Sequence, residues 1–229
     1  MDNSYAKYDN DRLMACIGLS ILVFCLSAFA LKAILEPARL ARYNPMVMIH
    51  AVLMVGWLSL FTVQSWLMSD GAFARHYFFG RLSIILVVLM ISSSTLIAIQ
   101  YTYDFQSTHL LSVNSIAWLR FAVLYGAAVI CIFMEYTGLH RRLMLLATTV
   151  LISPAVGRFA DAVNLPERIE IFSGVVASIV FPVIFDLGSG GLRRSTLLLI
   201  LGAVLLEIAG LAFALGYLQG ALASLMLDA

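Results

Sequence analysis

Charge is what this chain has least of. Charged residues fill 12% of its 229 positions while apolar residues fill 62%, against about 25% and roughly 45 to 50% in ordinary soluble domains. A water-soluble fold is excluded, because so few charges cannot cover a surface of this size. The 14 Lys and Arg are matched by 13 Asp and Glu, so the basic surplus that neutralises phosphates is missing and no nucleic-acid partner is expected. Cysteine is scarce too: Cys16, Cys25 and Cys131 all lie inside long apolar runs, where a thiol behaves as a small hydrophobe rather than as part of a disulfide framework or zinc site. Lysine is limited to Lys7 and Lys32. A retinal protein needs a lysine in its last helix to form a Schiff base, and that nucleophile is absent.

What the chain has in abundance is long apolar runs. About 20 such residues cross a hydrocarbon core of about 30 Å, and that ruler finds seven spans, at about 13–34, 46–68, 80–101, 113–136, 141–160, 170–187 and 196–219. In lipid only helices and closed barrels satisfy every backbone polar group, and these runs are too long for barrel strands. The expectation is an all-α, polytopic transmembrane bundle of seven helices forming a single domain over 1–229. The first run follows a polar start and is too long for the apolar region of a signal peptide, so it is expected to stay as a helix. No fixed-period internal repeat is visible in the sequence. Lys7, Arg12, Arg75, Arg81, Arg141, Arg142, Arg193 and Arg194 fall on one side, and Lys32, Arg39, Arg42, Arg158 and Arg168 on the other. Eight against five predicts a cytoplasmic amino terminus.

Two ionisable residues lie near mid-span, Arg120 in the fourth run and Glu207 in the seventh. Each costs about 2.5 to 3.5 kcal/mol on insertion scales, so each calls for a partner or a task. The two runs are antiparallel and place both residues at similar depth, which predicts a buried charge pair. Ala203, Gly210 and Ala214 share the face of Glu207 and turn it inward. Arg158 and Asp161, beyond an expected kink at Pro154, are read as an interfacial pair.

The four histidines fall at helix starts: His50 in the second run, His76 at the third, His109 just before the fourth, His140 at the fifth. Alternating helix direction puts His50 level with His109 and His76 level with His140. Paired inward imidazoles are how a helix bundle supplies axial ligands to a b-type haem iron, so all four are candidate haem ligands. The stretch from His50 to about Val156 resembles the cytochrome b-561 family, through Met48-Ile-His50-Ala-Val-Leu-Met54, Arg75-His76-Tyr-Phe-Phe-Gly80 and His140-Arg-Arg-Leu-Met144. That resemblance implies two haems, held by the second and fourth helices and by the third and fifth.

Most of the chain also resembles an uncharacterised family of bacterial multi-helix inner-membrane proteins. The pattern is His50-Ala-Val-Leu-Met54 with Trp57, Phe61 and Gln64, then His76 with Gly80, then His140 to Thr148 with Pro154 and Arg158. It implies a bacterial inner-membrane location and points to His50, His76 and His140. The functional expectation is transmembrane electron transfer through haem b, with a redox partner or a larger membrane complex. The alternative is a haem-free small-solute transporter or sensor, in which Arg120, Glu207 and Gln64 line a polar cavity, or an accessory subunit whose Trp57, Trp66 and Trp118 meet a larger complex. Ser92, Ser93, Ser94 and Thr95 read as helix-packing hydroxyls, not as a nucleophile site.

Overall fold

The computed structural model describes residues 4–38, 44–106, 109–166 and 168–213. Among them are eight helical segments: α1 (Ser4–Leu35), α2 (Pro45–Ser69), α3 (Phe73–Phe105), α4 (His109–Phe133), α5 (Thr137–Val150), α6 (Ser153–Ala162), α7 (Arg168–Gly188) and α8 (Arg194–Phe213). Helices α5 and α6 are two parts of one rod, so seven rods form an all-α transmembrane bundle. Five are long and apolar enough to cross a membrane: Asp11–Leu35, Pro45–Ser69, Phe73–Phe105, Asn114–Phe133 and Thr137–Ala162. The expected end of the seventh span, 214–219, lies outside the described residues.

The helix ends follow local chemistry. The Asn44 side chain accepts a hydrogen bond from the Val47 amide at 3.0 Å, and Pro45 occupies the first turn, where its missing N–H is no loss. The fifth rod breaks at Leu151–Ile152, three residues ahead of the expected kink, because Pro154 sits in the first turn of α6 and the helix before a proline must stop short of it. Glycine and charge mark the turns between rods.

The bundle has an apolar core, and unlike a soluble protein it is apolar on the outside as well. Large apolar side chains face outward, Phe133 at 82% and Leu198 at 70% exposure, while Arg142, Asp186, Thr148, Thr149 and Thr196 are buried. Many buried hydroxyls bond to a carbonyl of their own helix, as Thr62 does to Leu58 (2.9 Å) and Thr148 to Met144 (2.9 Å), which satisfies them without water. Helix α1 packs on α2 and α6, α2 on α3, and α4 on α5 and α8. At one end Arg141 of α5 reaches Asp11 of α1 at 3.1 Å; at the other, Lys32 of α1 contacts Asp161 of α6 at 2.6 Å and also Glu36. Asp161 is therefore tied to α1, and Arg158, expected beside it, lies over the ring of Phe29 at 5.9 Å.

A repeat that the sequence hides is plain in the backbone. The α2–α3 and α4–α5 hairpins share one turn at an offset of 64 residues: α2 ends at 69 and α4 at 133, α3 begins at 73 and α5 at 137. The amide of Ala72 donates to the Leu67 carbonyl and that of Tyr136 to Cys131, each at 2.8 Å. Gly71 and Glu135 take the same left-handed turn position, φ 70° and 63°. The caps Ala72 and Tyr136 share φ −81°.

Candidate functional site

His76 and His140 occupy equivalent positions of the two hairpins, three residues into α3 and α5. Each ring reaches back across its turn to a carbonyl twelve residues earlier: His76 Nδ1 to Gln64 O at 3.2 Å, His140 Nδ1 to Ala128 O at 2.9 Å. A carbonyl only accepts, so each Nδ1 carries the proton and each Nε2 holds a free lone pair. Among the described residues neither Nε2 is hydrogen-bonded. The two rings lie within each other's electrostatic reach, and Arg141 within reach of both. An imidazole with Nδ1–H fixed by a carbonyl is oriented for metal ligation through Nε2.

His50 is placed differently. Its Nδ1 lies 2.9 Å from Ser93 Oγ, which also donates to the Met90 carbonyl at 3.0 Å, and its ring stands edge-on to Trp118 with centroids 6.1 Å apart. The space between α2 and α4 below it is filled by Trp57, Phe121 and Tyr125, with Trp57 centroids 5.0 Å from Phe121 and 5.6 Å from Tyr125. His109 lies within α4 instead of preceding it, and its side chain lies outside the described residues. In the repeat His109 corresponds to Pro45 and His50 to Asn114, so the far end has no symmetric pair.

The structure brings Arg120 and Glu207 together: Nη2 lies 3.0 Å from Oε2, with both residues at least nine-tenths buried. Thirteen residues separate Arg120 from the end of α4 and Glu207 from the start of α8, about 20 Å along either helix. Two residues that sequence reasoning missed complete this place. Gly174 of α7 lies against the carboxyl, where an added Cβ would come within 2.5 Å of Glu207 Oε1 and 2.9 Å of Ser153 Oγ. Ser153 begins α6 at the helix break. A small residue in one apolar run and a serine before a proline carry no signal until the rods are packed.

Gln64 does not join this centre through any described contact; its Nε2 lies near Gly80 at the histidine end, and its buried Oε1 has no hydrogen-bond partner among the described residues. No group of three or more His, Cys, Asp or Glu able to hold a bare metal ion is found among the described residues; a haem requires only two axial side chains. Comparison of the chain with family profiles, curated proteins and solved structures finds no match.

Proposed function

We propose that this chain is a bacterial inner-membrane protein, amino terminus in the cytoplasm, that holds one b-type haem between His76 and His140 and exchanges electrons with a redox partner. The observation that carries this reading is the matched pair of imidazoles, each with Nδ1 committed to a carbonyl and Nε2 free. Bound haem would supply one-electron iron chemistry. The chain's own part is orientation: the Gln64 and Ala128 carbonyls fix tautomer and ring plane, and Arg141 adds a fixed positive charge beside both rings. His50 and His109 are left out of this site, since Trp57, Phe121 and Tyr125 fill the gap between α2 and α4 beside His50 and the His109 side chain lies outside the described residues.

The test is a reduced-minus-oxidised visible spectrum of the detergent-purified chain, with a pyridine haemochrome assay for haem content. One haem per chain is expected, lost in His76→Ala and in His140→Ala and kept in His50→Ala. A colourless protein from haem-supplemented cells would overturn the reading, as would haem that survives both substitutions. The haem-free reading then gains, because the centre at Arg120 and Glu207 needs no cofactor.

A further inference from the structure

Among the described residues two arginine–carboxylate pairs have both partners buried, and they are built differently. Arg142 donates through Nε and Nη2 to Asp186 Oδ1 (2.9 and 2.6 Å), through Nε to Thr196 Oγ1 (2.7 Å) and through Nη1 to the Gly138 carbonyl (2.7 Å); the Arg193 amide donates to Asp186 Oδ2 (2.9 Å). That pair is closed. Arg120 and Glu207 are comparably buried, yet among the described residues Arg120 Nε and Nη2 and Glu207 Oε2 have no hydrogen-bond partner. Oε2 is near enough to attract and too poorly aligned to bond.

The open atoms of Arg120 are one edge of its guanidinium, the parallel Nε–H and Nη2–H that grip a carboxylate with two bonds. An unmade buried hydrogen bond costs about 1 to 3 kcal/mol, more for a charge, so an open edge at this depth is a place to be filled. The other carboxyl oxygen of Glu207 leans on Gly174 beside Ser153 Oγ. Glu207 therefore stands between a cation and a hydroxyl, at a broken helix, an arrangement suited to solute binding in membranes.

Charge balance limits what can enter. Protonating Glu207 alone would strand the Arg120 cation in lipid, and adding an anion alone would set two carboxylates against one guanidinium. The other described charges on elements packed against α8 are His140, Arg141, Arg142 and Asp186. They sit at the histidine end, where Arg142 and Asp186 satisfy each other, and Arg158 and Asp161 lie at the far end of α6. We propose that Arg120, Glu207, Ser153 and Gly174 form a site for a small monocarboxylate taken together with one proton. The guest carboxylate takes both bonds from the open Arg120 edge; Glu207 accepts the proton and gives its O–H to Ser153 Oγ. One anion and one proton enter, and the net charge is unchanged. This holds whether or not haem occupies the other end.

The test uses acetate, the smallest carboxylate, added to the detergent-purified full chain near neutral pH. Calorimetry in buffers of different ionisation enthalpy counts protons taken up per acetate bound. One proton per acetate is expected, with chloride producing none. Glu207→Gln should abolish proton uptake and Arg120→Gln should abolish acetate binding. Gly174→Ala keeps both charges and should weaken acetate by roughly tenfold, since its Cβ pushes Glu207 onto the open edge. The double variant Arg120→Met with Glu207→Met leaves no charge unpaired and so keeps the fold accessible; it should bind no acetate. No acetate binding to the unaltered chain, binding without proton uptake, or uptake that persists in the double variant each overturns the proposal.

Discussion

At the scale of single residues, what decides an effect here is whether a buried polar group keeps its partners. Asp186 is wholly buried; Arg142 donates two hydrogen bonds to its Oδ1, and the Arg193 amide donates one to its Oδ2. Arg142→Ala leaves that carboxylate without its cation in an apolar setting and should cost about 3 to 5 kcal/mol, read as a large fall in thermal midpoint of the detergent-solubilised protein. Arg142→Ala combined with Asp186→Ala should recover most of it, because the stranded charge is gone. Of the predicted site residues, Arg120 and Glu207 were legible because a charge inside an apolar run is conspicuous. Ser153 and Gly174 were not, because serine and glycine are ordinary in membrane helices and only the packing of α6, α7 and α8 gives them a role.

At the scale of elements, the two hairpins offer a comparison within one chain. Gly71 takes its left-handed turn without strain, whereas Glu135 holds the same conformation with a side chain, at a cost of about 1 to 2 kcal/mol. Gly71→Ala should therefore destabilise by about 1 kcal/mol and Glu135→Gly should gain up to a similar amount, both measurable by thermal unfolding followed by circular dichroism. The repeat was illegible in the sequence because lipid accepts most apolar residues equally: Gln64 stands where Ala128 does, Gly80 where Met144 does, and the histidines are a rare shared polar position. Hydropathy marked the rods well, and α4 is already helical at His109, four residues ahead of the expected span, because His109 to Ser112 form a helical turn that composition does not separate from a loop. The break in the fifth rod was displaced from the expected kink because Pro154 tolerates helix on one side only.

At the scale of the whole molecule, the surface that meets lipid is the apolar one. Leu205 is 55% exposed on α8 while Ala203, two residues earlier, is buried. Leu205→Arg should raise the insertion cost of that helix by about 3 kcal/mol, seen as a lower inserted fraction in a translocation reporter. Helix α8 is fastened at its start, where Thr196 accepts from Arg142, and again one turn past Glu207, where Gly210 lies against Ile116 of α4. The two anchors are about 21 Å apart along the helix, with Glu207 between them. A rod held at both points keeps its axis, so any rearrangement of the Glu207 carboxyl is carried by its side chain against a fixed frame.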